Sequence, residues 1–458
     1  MSQITIDFAK TLGKIKPMHS TNNGPAGEEV RGTSNKEYFQ AAGIPYVRNH
    51  DASFYMDYGG EYTVDVHRIF RNFDADENLP ESYDFLMTDL YMKSVYSVGS
   101  KMFYRLGTRI EHEPRKCGTI PPKDFAKWAR ICEHIIRHYT EGWADGFHYD
   151  VEYWEIWNEP ECRNSDGSNP CWQGTDEQFC ELYAVTAKHL KSCFPHLKIG
   201  GPAVTGIWLN EGCFLYKFFP YVHEHNVPMD FFSFHRYAED PHKLVKATND
   251  AKALCEQYGY GNAELILNEW NYIRGWLDDE WKYSLAMEKG LKGASYVASA
   301  MCLCQQSPLD HLMYYDASPC GRNGMLDTDT RLPLKGYYTF PMFNTLYTLG
   351  TEVESISDDE TVAVAAACGE NDNTIGAVML SYYEDLDEGD VDGKLLRLCF
   401  RNVPVSENGT EVVLNLLDAE HNNEEIRSEI FTSGNFDLMV PVNLFTTCLL
   451  TLRRVEKA

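Results

Sequence analysis

The chain is short of positive charge. Its 458 residues carry 41 lysines and arginines against 68 aspartates and glutamates, a formal net charge of −27 at pH 7. Displacing counterions from phosphate needs a basic surface, so the balance argues against nucleic-acid binding and against docking on an anionic membrane. A single cationic pocket stays compatible with it, because net charge does not describe one site. Also lacking is an apolar run long enough to span a bilayer. The first residues, Met1-Ser2-Gln3-Ile4-Thr5-Ile6-Asp7, have neither the basic nor the apolar segment of a secretory signal. A cytoplasmic location is therefore expected, with the 14 cysteines read as free thiols rather than a disulfide framework. There is no phosphate-binding glycine loop, no dinucleotide fingerprint and no nucleophile elbow. His134 and His138 stand four apart, but Ile135 occupies the place where a zinc peptidase has its base. Cys162, Cys171 and Cys180 are evenly spaced, and Cys302 and Cys304 share a helical stretch. Neither set has the paired spacing of a zinc site, so both read as packed or loop-shaping thiols. The expectation is no metal and no cofactor.

What is present is core material. Hydrophobic residues make up 43% and aromatics 13%, enough to bury a large interior. Short apolar runs alternate with longer helical patterns, which signals repeated βα units. Candidate strands are 14–19, 46–49, 101–106, 153–157, 198–201, 231–235, 264–268 and 312–315. Helical stretches between them include 123–139, 175–193 and 281–304. Eight strands each followed by a helix close into a barrel. From about residue 351 the pattern becomes strands and turns, at 361–367, 374–382, 394–401, 411–418 and 443–452. Asp392-Gly393 and Asn408-Gly409 read as hairpin turns. The expected architecture is an α/β chain: a (β/α)8 TIM barrel over 1–350, then an antiparallel β-sandwich over 351–458. Residues 1–12 are candidates to pair with the sandwich, and the acidic stretch 384–392 reads as a solvated loop.

Two strand ends carry chemistry. In Tyr153-Trp154-Glu155-Ile156-Trp157-Asn158-Glu159-Pro160 an apolar strand stops at proline, leaving Asn158 and Glu159 at its C-terminal end. In Leu265-Ile266-Leu267-Asn268-Glu269-Trp270-Asn271 another strand ends in a carboxylate beside an aromatic. These close the fourth and seventh strands, whose ends face each other across the mouth where such barrels work. A lone strand-end glutamate is as often a surface cap. Two in register fit a reaction in which one carboxylic acid protonates a leaving oxygen and a carboxylate attacks the anomeric carbon. Carboxyls about 5–5.5 Å apart give retention of configuration. The charge of Glu269 then discourages ionisation of Glu159, and aromatic rings offer apolar faces to a sugar.

These residues carry a resemblance. Asn-Glu-Pro ending one strand and the later strand-end glutamate resemble clan A glycoside hydrolases. The closest likeness is to glycoside hydrolase family 39, which includes β-xylosidases and α-L-iduronidases. The stretch 125–160 is similar to that family, as are Tyr46-Val47-Arg48-Asn49-His50 and Phe232-Ser233-Phe234-His235-Arg236-Tyr237. So are Asn323-Gly324-Met325-Leu326-Asp327, Pro333, Tyr337-Tyr338 and the C-terminal sandwich. The resemblance implies that Glu159 is the acid/base, Glu269 the nucleophile and Asn158 the residue bonding the sugar 2-hydroxyl. It places His235, Tyr237, Arg48 and His50 near the nucleophile and sugar. Trp270, beside the nucleophile, is expected to bind substrate. The implied activity is exo-acting and β-xylosidase-like, on a carbohydrate substrate. Asn268-Glu269-Trp270-Asn271 is more like the nucleophile segment of family 51 α-L-arabinofuranosidases, which keeps that activity or another exo-glycosidase as an alternative. Arg163, Arg236, Arg274 and Arg322 follow strand ends. They read as solvated or paired charge, with recognition of a uronic acid as the sharper reading. A carbohydrate-binding relative without turnover is the other class that fits.

Overall fold

The structure is a computed structural model that describes residues 2–25, 34–50, 64–111, 113–319, 322–387 and 391–455. The first strand, β1 (Ser2–Lys14), runs outside the barrel. The barrel is built from β2 (Ser20–Asn22), β3 (Tyr46–Arg48), β4 (Lys101–Leu106), β5 (Tyr153–Ile156), β6 (Lys198–Val204), β7 (Phe231–His235), β8 (Glu264–Glu269) and β9 (His311–Tyr314). They lie in chain order, all parallel, and β9 pairs back with β2 to close the ring. The expected opening strand at 14–19 is thus corrected. Lys14 ends β1, and the barrel begins at polar Ser20, Thr21 and Asn22, which lack the apolar signature of a buried strand.

The barrel interior is layered. Phe103, Tyr153, Phe231, Ile266 and Met313, one each from β4, β5, β7, β8 and β9, plug its floor. The neighbouring positions, such as Trp154 on Tyr104 at 4.9 Å between ring centroids, face the surrounding helices. Those helices start where side chains cap them. Asp124 accepts from the Lys127 N–H ahead of Phe125–Thr140, and Thr175 and Gln178 form a reciprocal capping box ahead of Asp176–Cys193. The expected helix over 281–304 is two helices, Asp278–Met287 and Leu291–Gln305, because the backbone turns extended at Gly290.

After the helix Thr339–Leu349 come β10 (Thr351–Ser357), β11 (Val362–Asn371), β12 (Thr374–Tyr382), β13 (Lys394–Arg401), β14 (Thr410–Leu417), β15 (Asn422–Phe431), β16 (Phe436–Val442) and β17 (Thr447–Arg454). With β1 they form one nine-stranded sheet, antiparallel except where β1 meets β13. Its two edge strands, β15 and β16, come together through Phe431 and Phe436, stacked at 3.9 Å, so the sheet folds over onto itself. Asp392-Gly393 joins no pair of neighbouring strands, because β12, β13 and β14 are not neighbours of one another, whereas Asn408-Gly409 lies in a tight turn that Ser406 and Gly409 close as an antiparallel bridge, the Gly409 N–H donating to the Ser406 carbonyl at 3.0 Å. The sheet docks on the helix Leu291–Gln305. Ser381 Oγ donates to the Ser295 carbonyl at 3.0 Å, and Gln305 Nε2 donates to Glu352 at 2.7 Å. The acidic stretch 384–392 is not simply solvated, although 388–390 lie outside the described residues. Asp385 binds Lys292 at 2.7 Å and Arg274 at 3.1 Å, tying the sheet to the barrel.

Candidate active site

Two local irregularities aim the glutamates. At the end of β5, Trp157 and Glu159 take left-handed φ of 77° and 47°. Such a conformation costs of order 1–3 kcal/mol per residue and persists only where surroundings enforce it. Here Trp157 N–H bonds Leu106, Glu159 N–H bonds Ala203, and the Trp157 indole donates to the Cys171 carbonyl at 3.0 Å. The second irregularity is a register shift. Phe234 pairs with Leu267, but His235 pairs with Glu269, leaving Asn268 as an extra residue. Consecutive Asn268 and Glu269 therefore both reach into the barrel.

The buried centre is Arg48. Its Nε donates to Glu155 Oε2 at 2.7 Å, and its Nη1 to Glu269 Oε1 at 2.8 Å and to Asn22 Oδ1 at 3.0 Å. Its Nη2 donates to Asn158 Oδ1 at 2.6 Å. Burial opposes the guanidinium charge, but Glu155 and Glu269 outweigh it and hold Arg48 above its ordinary range. Glu155 also accepts from Ser233 Oγ at 2.6 Å and Asn268 Nδ2 at 2.5 Å. Sequence reasoning passed over Glu155, Asn22, Ser233 and Asn268. A carboxylate alternating with apolar residues inside a strand was the signal that could have found the first. Arg48→Met leaves two buried carboxylates without their cation. It is expected to destabilise the protein by about 3–5 kcal/mol in urea denaturation.

Above this layer the two glutamates meet. A carboxylate oxygen of Glu159, one of Glu269 and a ring nitrogen of His235 all lie within 4.8 Å of one another. His235 Nδ1 is 2.7 Å from Glu159 Oε1 and 3.5 Å from Glu269 Oε2. Burial pushes the imidazole down to about 4, so it is neutral at ordinary pH. One proton on the 2.7 Å contact then serves either as N–H donated to carboxylate or as O–H donated to nitrogen. Tyr237 donates to Glu269 Oε2 at 3.0 Å, and His50 Nε2 lies 3.8 Å from Oε1. Asn158 Nδ2 and His235 Nε2 are buried and meet no hydrogen-bond partner among the described residues. The Glu159 side chain keeps 12% of its surface exposed and that of Glu269 keeps 5%, so both are open to a ligand from one side.

Trp270 takes a different place from the one expected. It is wholly buried, packed on Tyr296 at 6.1 Å and Tyr314 at 5.6 Å, because it follows the inward Glu269 and turns to the outer side of the barrel. Among the described residues, exposed aromatics at the mouth include Trp276, 5.0 Å from the Tyr237 ring, and Trp208, under the Arg236 guanidinium at 5.4 Å. Of the four strand-end arginines, Arg163 pairs with Asp176 at 3.2 Å and Arg274 with Asp385, while Arg322 is exposed. His138 does not bind beside His134. It bridges Asp89 and the Trp143 carbonyl at 3.0 and 2.9 Å.

Two residues beyond Glu159, Glu161 accepts from the Thr205 N–H at 2.6 Å and hydroxyl at 2.8 Å, while its other oxygen is buried and meets no partner among the described residues. Burial, with the charge of Glu159, pushes this carboxyl up to about 7 from 4.5. Between those values the folded state holds a proton that the unfolded state has released, so stability falls as pH rises through this window. In Glu161→Gln that loss disappears. From pH 5 to pH 8 the stability difference between variant and wild type is expected to move about 1–2 kcal/mol in the variant's favour, measured by thermal unfolding.

A closed parallel barrel with two carboxylates facing each other at the C-terminal ends of its strands, over a buried arginine, is an arrangement that glycoside cleavage can use. The sequence description of glycosyl hydrolases family 39 matches residues 2–262, and the chain belongs to that family. A β-xylosidase of Geobacillus stearothermophilus is 30% identical over 261 residues, which is 50% of this chain and 47% of that protein. The chain thus matches about half the length of this curated relative. A glucosidase from Croceicoccus marinus has the same fold, with a TM-score of 0.80 and 22% identity, covering 100% of this chain and 99% of that one. A monomeric β-xylosidase from Caulobacter crescentus CB15 superposes with a TM-score of 0.71 and 15% identity, each chain fully covered.

Proposed function

We propose that the chain is a retaining, exo-acting glycosidase, β-xylosidase-like in its choice of sugar. The observation that carries this reading is the approach of the Glu159 and Glu269 carboxylates to within 4.8 Å, with His235 between them. That approach suits direct attack on the anomeric carbon, whereas inverting enzymes, which place a water between base and sugar, hold their carboxyl groups about 6.5–9.5 Å apart.

In this reading the Glu159 carboxylic acid gives its proton to the glycosidic oxygen as the aglycone leaves. Glu269, oriented by Arg48 and Tyr237, bonds to the anomeric carbon. Glu159, now a carboxylate, removes a proton from the incoming water, which breaks the ester and restores both groups. The unpaired Nδ2 of Asn158 donates to a sugar hydroxyl beside the reacting carbon. Trp276, 55% exposed, and Trp208, 49% exposed, offer apolar faces to the substrate. The choice of a neutral pentoside rests on the similarity to a β-xylosidase and on the local pairing of Arg163 and Arg274. Among the described residues no helix is long and apolar enough to cross a membrane.

A panel of aryl glycosides tests the sugar. We expect cleavage of the β-xyloside at a kcat/KM at least about tenfold above the α-L-arabinofuranoside, β-glucoside and α-L-iduronide, the margin that some 1.4 kcal/mol of differential binding provides. A preference for the iduronide would reassign the arginines. A preference for the arabinofuranoside would support the alternative suggested by Asn268-Glu269-Trp270-Asn271.

A further inference from the structure

Glu159 has a second set of neighbours that the proposed reaction does not use. Cys162 lies in the turn that its own N–H closes on the Glu159 carbonyl at 3.0 Å. The loop then leaves and returns at Cys171. There Asn169 Oδ1 receives the N–H groups of Cys171 and Trp172 at 2.7 and 2.8 Å, and the Trp157 indole holds the Cys171 carbonyl. The result is a convergence that even spacing in the sequence does not reveal. The sulfurs of Cys162 and Cys171 and a carboxylate oxygen of Glu159 all lie within 4.8 Å of one another, with Cys171 Sγ at 4.0 Å from Glu159 Oε2. Cys171 is buried and Cys162 half-buried, so the group has one open side.

We propose that Glu159, Cys162 and Cys171 form a binding site for a thiophilic divalent cation of the Zn2+ type, and that its occupation withdraws Glu159 from catalysis. Zinc with bonds of about 2.3 Å to sulfur and 2.0–2.2 Å to oxygen sets ligand-to-ligand edges of roughly 3.6–3.8 Å. The three side chains need close only slightly to reach that. The two thiol protons pass to solvent as the thiolates bind, and the fourth position stays open to water. Inhibition rests on the acid/base role proposed for Glu159; binding does not.

Glu159 also belongs to the group with His235 and Glu269, and a separate group of Glu133, His189 and Cys193 lies on the helices outside the barrel. The experiment must tell these apart. Co2+ is added to reduced, metal-free protein carrying His189→Gln, and the thiolate-to-cobalt band in the near ultraviolet is recorded. One equivalent of band is expected, lost when Cys162→Ser or Cys171→Ser is added. No band, or a band unchanged by both substitutions, overturns the site whether or not the protein turns over. In a second arm Zn2+ inhibits hydrolysis by the wild type, reversibly with EDTA. The half-inhibiting concentration is expected to rise about tenfold or more in Cys162→Ser. Unchanged potency would place the cation on Glu159, His235 and Glu269 and overturn the proposed control.

Discussion

Glu269→Gln is expected to lower kcat by about ten-thousand-fold or more on any glycoside the wild type cleaves, while sugar binding persists. The amide cannot form the bond to the anomeric carbon, yet it retains the shape of the group. Its carbonyl oxygen can still accept from Arg48 Nη1 or Tyr237, which now meet the carboxylate at 2.8 and 3.0 Å. Steady-state kinetics with an aryl glycoside, together with calorimetric binding of the free sugar, separate the two effects. A variant that keeps more than about a hundredth of wild-type turnover would show that Glu269 only positions other groups. A wild type that binds glycans but turns over no glycoside would make the chain a binding module instead.

Glu159→Ala should divide substrates by their leaving groups. Where the aglycone is a poor leaving group, the loss of proton donation is expected to cost about a hundred- to ten-thousand-fold in kcat/KM. With an activated dinitrophenyl glycoside the first step needs little help, and the covalent intermediate should accumulate because no base activates water. Added azide, which needs no base, should then restore turnover and give a glycosyl azide of the same anomeric configuration as the substrate. Equal losses on both substrates, without azide rescue, would deny Glu159 the acid/base role. His235 should not add a titration above pH 5 to either variant, since burial holds its imidazole neutral down to about 4.

The legibility of the site follows from where its residues sit on their strands. Glu159 and Glu269 stand out in the sequence because each ends an apolar run and the two ends fall in register across the barrel mouth. The layer beneath them was harder. Glu155, Ser233 and Asn268 lie inside strands, where alternation normally delivers apolar packing, and only the coordinates show that they converge on Arg48. Trp270 was misplaced for the opposite reason. Nearness to Glu269 in sequence suggests nearness in space, but the next residue along the strand turns outward. The extra Asn268 at the β7–β8 register shift had no sequence signal at all.

The same logic holds for the fold. Strands 101–106 and 231–235 were legible to the residue because apolar or aromatic runs are bounded by breaks, whereas Ser20–Asn22 is wholly polar. The strand β15 lacks an apolar alternation. β15 is exposed along much of its length, while Leu438, Val440 and Val442 of β16 alternate inward in a short run that the sequence reading passed over. The nine-stranded sheet also depends on Ser2–Lys14, whose partners lie more than three hundred residues away.

The most direct test of the account is to trap the enzyme with the 2-deoxy-2-fluoro form of whichever aryl glycoside it cleaves fastest, then map the sugar by peptide mass spectrometry. One adduct is expected, on Glu269 and absent from Glu269→Gln. A sugar attached to any other residue, or steady turnover of the good substrate with nothing trapped, would contradict the claim that Glu269 bonds to carbon across the gap from Glu159.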